Sequence, residues 1–140
     1  MAFLIPEELK TVLYEYQTDS ITEFDNDIVL SSIDAALEEC RSYLAGLYDV
    51  TTIFAATGTA RNALLLEYAK SITVWYLIRL SNPDQSWEQA KDRYDRAIKW
   101  LKDVRDGKLS PTLPRVTMPP DGEVVGKIKF ISNKKFNHSY

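Results

Sequence analysis

The sequence predicts an all-α protein, a four- to five-helix bundle followed by an extended C-terminal tail that contains one β-strand. Three observations support this fold class. Apolar residues recur at helical spacing in several segments, helix-start signals precede these segments, and four prolines between residues 111 and 120 end the helical pattern. The 140 residues suit a single compact unit, which we divide into a helical part, residues 1–106, and an extended docking tail, residues 107–140.

The first two helices follow from their start signals and from one apolar stripe. A short helix begins at Pro6, with Glu7 and Glu8 in the first turn, where the helix dipole favours acids, and runs to about Tyr16. Asn26 or Asp27 is the predicted cap of the second helix. Its apolar residues, four and three positions apart, are Ile33, Leu37, Cys40, Leu44 and Leu47. Its polar residues, expected to face away, are Asp34, Glu38, Glu39 and Arg41.

The third and fourth helices are longer. Residues 48–58 read as a loop with at most a short helical turn, after which Thr59 is the predicted cap of a helix over residues 60–80. This helix is apolar on nearly all sides and is therefore expected at the centre. Ser86 and Gln89 form a capping-box pattern for the fourth helix, which ends at Gly107. Its core stripe is Trp87, Ala90, Tyr94, Ala97, Leu101 and Val104, and its outer pairs are Asp92/Arg96, Asp95/Lys99 and Lys99/Asp103.

The tail changes character after its prolines. Residues 124–131 are predicted to form a strand, and no second convincing strand is available in the chain to pair with it. Its backbone amides must either stay in water, as in a disordered tail, or pair with another chain by strand addition. The predicted partner-binding residues are Val125, Lys127, Ile128, Lys129, Phe130, Ile131, Lys134, Lys135, Phe136 and Tyr140.

The residues that could carry chemistry each have a simpler interpretation. Cys40 lies on an apolar stripe, and His138 lies in a polar stretch near the last residue, where no rigid partner is expected. Glu38/Glu39 and Asp92/Asp95 are typical of a solvated helix face, and residues 57–61 lack the lysine of a phosphate-binding loop. One Cys and one His cannot supply a structural zinc site. We therefore expect neither an enzyme, nor a cofactor, nor a bound metal.

Charge is divided unevenly along the chain. Residues 1–106 carry 11 basic and 18 acidic residues, or −7, whereas residues 107–140 carry 6 basic and 2 acidic residues, or +4. Basic residues interleaved with aromatics also suit a nucleic-acid-binding tail, although the acidic helical part would repel phosphates. The alternative function is thus a nucleic-acid-binding accessory protein that uses this basic aromatic tail. Residues 1–13 lack a signal peptide's pattern, and residues 64–80 are too polar to span a membrane.

Five segments resemble the head–tail connector, or adaptor, superfamily of tailed phages, in its branch from Mu-like phages and prophages. They are residues 3–10 (FLIPEELK), 69–77 (AKSITVWYL), 80–83 (LSNP), 93–101 (RYDRAIKWL) and 132–138 (SNKKFNH). Ile5 departs from the pattern, which more often has Ser or Thr as the cap of the first helix.

This resemblance implies a small helical adaptor that assembles as a ring beneath the portal protein, with twelve subunits as the expected number. The C-terminal segment would extend toward the portal, or toward a neighbouring subunit, and the ring would receive the stopper or tail-completion protein. DNA would pass through the channel without sequence-specific binding. The expected location is the head–tail interface of the virion, after assembly from the host cytoplasm, with no membrane partner.

Overall fold

The computed structural model describes residues 2–13, 25–80 and 85–117, which are mainly helical, as predicted. The α-helices are α1 (Asn26–Leu44), α2 (Val50–Ala55), α3 (Ala63–Ile78) and α4 (Gln85–Arg105). Two short 3-10 helices span Pro6–Thr11 and Gly58–Ala60. Among these helices, none combines the length and the apolar character needed to cross a membrane.

Helix α3 lies at the centre, as its apolar composition predicts. It contacts α1, α4 and the N-terminal 3-10 helix, and Leu65, Ile72 and Leu77 are fully buried. Its packing partners show the helix directions. Trp75, near the end of α3, lies 4.9 Å from Trp87 at the start of α4, while Tyr68 lies 5.1 Å from Trp100 farther along α4. Helices α3 and α4 are therefore antiparallel.

Helix α1 buries the predicted stripe at Ile33, Leu37, Cys40 and Leu44, and Leu47 beyond its end is half-buried. The predicted cap was wrong by one or two residues. Asp25 is the N-cap and accepts a hydrogen bond from the Asp27 amide at 2.9 Å, so Asn26 already has helical backbone. Asp25 is preferred because its side chain reaches an amide that the first helical turn leaves unpaired.

Helix α4 begins at Gln85, two residues before the start at Trp87 that a Ser86 cap indicated, so Ser86 lies inside it. The stripe residues Ala90, Ala97, Leu101 and Val104 are buried, as is Trp100, which the sequence interpretation omitted. The helix ends as predicted. Gly107 has φ +78, its amide bonds to the Val104 carbonyl at 3.1 Å, and the Lys108 amide bonds to the Asp103 carbonyl at 2.8 Å. These two bonds form a Schellman motif, which favours glycine at the left-handed position.

The connection from α1 to α3 is more ordered than predicted. Residues 50–55, interpreted as mainly loop, form α2, because the Asp49 side chain caps it by accepting from the Thr52 amide at 3.2 Å. The predicted cap of α3, Thr59, was wrong. Thr59 lies in the 3-10 turn, and Asn62 caps α3 by accepting from the Leu65 amide at 3.0 Å. Gly58 has φ +57, which lets the chain enter that turn.

Residues 2–13, which we call the N-terminal segment, are held against α3 by two cationic side chains, Arg61 and Lys70. The Arg61 guanidinium donates to both carboxylate oxygens of Glu8, at 2.7 and 2.9 Å, and to the Phe3 carbonyl at 2.7 Å. Lys70, 6% exposed, reaches Thr11 at the other end of the 3-10 helix, at 3.2 Å. Ile5 offers no side-chain cap, but its amide donates to Glu8, so the reciprocal half of a capping box remains.

The predicted strand at residues 124–131 lies outside the described residues. Residues 108–117 contain no helix, as their prolines predict. They turn back onto the helices, where Arg115 forms an antiparallel bridge with Tyr48.

We predict that Glu8→Gln lowers the free energy of unfolding by about 1–3 kcal/mol at neutral pH, because it breaks a charge-assisted hydrogen-bonded pair. The Arg61 guanidinium holds the pKa of Glu8 below its ordinary value of 4.5. The stabilisation is therefore present above about pH 4.5 and disappears as the pH falls and the folded protein takes up this proton. Urea unfolding of both proteins between pH 7 and pH 3 measures the effect.

The matched control is Glu7→Gln, an exposed neighbour in the same turn, which should change stability little. A Glu8→Gln loss that equals the Glu7→Gln loss at pH 7, or that stays constant down to pH 3, would contradict the role of the pair.

Candidate functional site

Of the predicted docking tail, residues 107–140, the structure describes residues 107–117, whereas the residues assigned to docking, 125–140, lie outside its described part. Residues 114–116 lie antiparallel to residues 47–49, which connect α1 to α2. The Asp49 amide donates to the Pro114 carbonyl at 2.9 Å, and the Val116 amide donates to the Leu47 carbonyl at 3.2 Å. We call this pairing the tail anchor.

Side chains reinforce the tail anchor. The Arg115 guanidinium lies 5.5 Å from the ring centroid of Tyr48, whose own side chain is only 2% exposed. The Asn62 amide nitrogen donates to the Thr112 carbonyl at 3.1 Å, while the oxygen of the same side chain caps α3. The start of the tail is thus fixed at the end of the helical body where α1 ends and α3 begins.

A groove lies at the opposite end of the body, between the start of α1 and the end of α3. It encloses about 520 Å³ and is lined by Asp27, Ile28, Ser31, Ser32, Ala35, Tyr76, Arg79 and Leu80. The Arg79 guanidinium lies over the Tyr76 ring, 4.6 Å from its centroid, and Leu80 is 61% exposed. This groove offers an apolar wall, a cation and a carboxylate to a partner.

The outer face of α1 is acidic next to this groove. Asp27, Asp34 and Glu38 are all exposed and follow one another at seven and four residues, which places them on one line of the helix. Of these three acids, only Glu38 forms an ion pair within the described ranges, with Arg41 at 3.4 Å. This spacing is present in the sequence, but the sequence interpretation treated Asp34 and Glu38 only as polar residues that face away, and Asp27 only as a candidate cap.

Glu39 does not face away from the core, as the sequence interpretation expected. Its carboxylate accepts hydrogen bonds from the hydroxyls of Tyr76 on α3 and Tyr94 on α4, the latter at 2.8 Å. Burial and the neighbouring Glu39 carboxylate raise the pKa of Tyr76 to about 12, and they also raise the pKa of Tyr94. One carboxylate therefore joins three helices and holds both phenols protonated.

The other residues weighed for chemistry occupy structural positions. Cys40 is fully buried, and burial raises the pKa of its thiol to about 12, so it stays protonated in the core. Arg61, next to the turn at residues 57–60, is directed at Glu8 rather than outward. In the described part of the chain, no group of three or more His, Cys, Asp or Glu residues is placed to hold a metal ion. His138 lies beyond that part.

The charged pairs on α4 follow the prediction with one exchange. Asp92 pairs with Arg96 at 3.1 Å, and Lys99 pairs with Asp103 at 3.0 Å, as predicted. Asp95 pairs with Lys91 at 3.0 Å instead of with Lys99. Lys99 cannot serve both carboxylates equally well, and Lys91 lies the same four residues away on the other side.

Comparison with known proteins gives one family match. The family model described as Bacteriophage Mu, Gp36 matches residues 4–127, which cover nearly all of the described helical body and the tail anchor. Searches of curated proteins and of solved structures return no match.

We predict that stability falls at alkaline pH through the Glu39 cluster. An ordinary tyrosine ionises near pH 10, whereas Tyr76 in the folded protein ionises at about 12. The stabilisation is complete below about pH 10 and is lost as the pH rises toward 12, because the unfolded chain releases these protons first. Urea unfolding between pH 8 and pH 11.5 should show this decline, and Tyr76→Phe with Tyr94→Phe should reduce its slope.

Tyr68→Phe is the control, because Tyr68 packs on Trp100 outside this cluster and should leave the slope unchanged. An equal slope in the double variant and in the unsubstituted protein would rule out the cluster as its source.

Proposed function

Because the chain belongs to the bacteriophage Mu Gp36 family, we propose that it is a structural head–tail connector, or adaptor, which joins a phage head to its stopper or tail. Family membership supports a role in the structure or morphogenesis of a phage particle. The specific role of a connector between head and tail goes beyond this general role. It is structural rather than catalytic, and the protein would act in the virion.

The observation that carries this proposal is the tail anchor. It places the start of a basic segment at one end of an acidic helical body, with backbone hydrogen bonds at 2.9 and 3.2 Å. Helix α4 has 21 residues, which at 1.5 Å each is about 31 Å. A body of this length separates the end that holds the tail anchor from the end that holds the groove. A protein that binds different partners at its two ends requires such a separation.

In this proposal, residues 125–140 bind the portal protein or an adjacent subunit by strand addition, with the lysines at the rim of the interface. The helices form the lateral contacts of a ring of about twelve subunits, a number that depends on interface angles. Leu30, Leu64 and Leu109 are 46%, 47% and 42% exposed and are available for such contacts. DNA passes through the ring without sequence-specific binding.

The alternative is a nucleic-acid-binding accessory protein of a prophage. The net charge of +4 over residues 107–140 favours it, while the net charge of −7 over residues 1–106 opposes it. DNA retention that falls steeply with salt would favour this alternative over the connector.

Deletion of residues 121–140 is predicted to abolish binding to the cognate portal protein and to leave the helical circular-dichroism signal unchanged. The tail anchor ends at Val116, so the truncated protein keeps every hydrogen bond that holds residues 112–116 to the body. Co-purification with the portal and circular dichroism measure the two effects.

Negative-stain microscopy and native mass measurement of the full chain, alone and with its portal, provide the second readout. A ring or a portal complex supports the connector. Undiminished portal binding by the truncated protein rejects docking by the tail, and the absence of any portal complex rejects the connector role.

A further inference from the structure

We propose that in the free protein residues 127–136 lie along the outer face of the chain's own α1 helix. The lysines would face Asp27, Asp34 and Glu38, and Phe136 would enter the groove at the start of α1. This inference goes beyond the connector role and does not depend on it, since it concerns the protein before it meets any partner.

The first argument is charge. Residues 124–140 contain four lysines and no Asp or Glu. Asp27 and Asp34 are exposed and form no ion pair with any lysine or arginine in the described ranges, and the Glu38 side chain is 74% exposed. A uniformly basic segment and an acidic helix face in the same chain attract each other.

The second argument is reach. The tail anchor bonds Val116 to Leu47, so the tail starts beside the C-terminal end of α1. From Leu47 to Glu38 the distance along the helix direction is about 14 Å. From Thr117 the chain advances ten residues to Lys127, which is up to about 33 Å when extended. The tail therefore reaches Glu38 with length to spare, and it would then continue antiparallel to α1.

The third argument is spacing. Lys127, Lys129 and Lys135 are an even number of residues apart and therefore share one face of an extended chain, in which Lys129 and Lys135 are about 20 Å apart. Glu38 and Asp27 are separated by eleven helical residues, or about 17 Å. The long lysine side chains cover the difference of about 3 Å, so Lys129 and Lys135 match the two ends of the acidic face.

The groove completes the match. Phe136 directly follows Lys135, which this register places next to Asp27, a residue that also lines the groove. Ile28 and Leu80 provide apolar contacts for a phenyl ring, and Arg79 provides a cation for its face. The groove thus takes an aromatic residue directly after a basic pair.

We assign the occupant to the same chain because a short tether keeps the local concentration of the tail near the millimolar range. Exposed ion pairs are individually weak and are screened by salt. The tail bound to α1 would therefore be held weakly, and a partner that offers backbone hydrogen bonds would displace it.

Paramagnetic relaxation in the full chain tests this. A nitroxide is attached to the Asn137→Cys variant; Cys40 is fully buried and stays unmodified in the folded protein. At low salt we expect broadening of the amides of residues 27–38 and 76–80. The broadening should weaken at about 0.5 M salt, where the screening length is only a few ångströms.

The charge variant is Asp27→Asn, Asp34→Asn and Glu38→Gln together, which should lose the broadening. The matched control is Glu88→Gln, Asp92→Asn and Asp95→Asn on the exposed face of α4, which should retain it. Uniform weak broadening, or broadening equally strong in the charge variant, overturns the proposal.

A mixed sample distinguishes docking of the tail within one molecule from docking of the tail on a second copy. Isotope-labelled chains without nitroxide are combined with unlabelled chains that carry it, so that any broadening must pass between molecules. Absence of broadening in the mixture supports docking within one chain, and its presence there overturns that assignment. Loss of portal binding on deletion of residues 121–140 is a separate readout, so the two proposals fail independently.

Discussion

The need to bury α3 on nearly all sides determines the arrangement of everything else. Leu65, Ile72 and Leu77 leave almost no surface in water, so no single neighbouring helix can cover them. Helix α1 covers one side, α4 covers another, and the N-terminal segment covers a third with Leu4 and Leu9. Residues 2–13 are therefore part of the core, even though the short 3-10 helix is the only helix within this described stretch.

Polar groups at the core boundary determine which of several packings this apolar helix adopts. Apolar contacts alone tolerate rotation and sliding of helices, whereas a half-buried carboxylate must meet its donors. Glu39 meets Tyr76 and Tyr94, and Arg61 meets Glu8. These contacts join segments far apart in sequence, and so they fix the register of α1, α3, α4 and the N-terminal segment relative to one another. The two sets lie on different helices and constrain the body independently.

Periodicity predicted the long helices and their buried faces, because the stripes of α1 and α4 each depend only on local spacing. It could not assign the caps, since Asp25 and Asn62 compete with Asn26, Asp27 and Thr59, which have the same chemistry within three residues. Periodicity also placed Glu39 on the outer face, because the residues around Glu39 in the sequence do not indicate that Tyr76 and Tyr94 from other helices donate to it. The acidic face of α1 can be recognised in the sequence from the spacing of Asp27, Asp34 and Glu38. The groove beside it was not, since it needs the end of α3, which lies more than forty residues away.

The tail anchor also decides how the protein carries mechanical load. Tension applied beyond residue 117 acts first on the hydrogen bond between Val116 and Leu47, and then on the bond between Asp49 and Pro114. From there the force enters the body at the end of α1, not at the end of α4, although α4 is the nearer helix in sequence. The ten residues between Arg105 and Val116 are thereby relieved of strain. A pull on the tail is thus transmitted to α1, which contacts both α3 and α4.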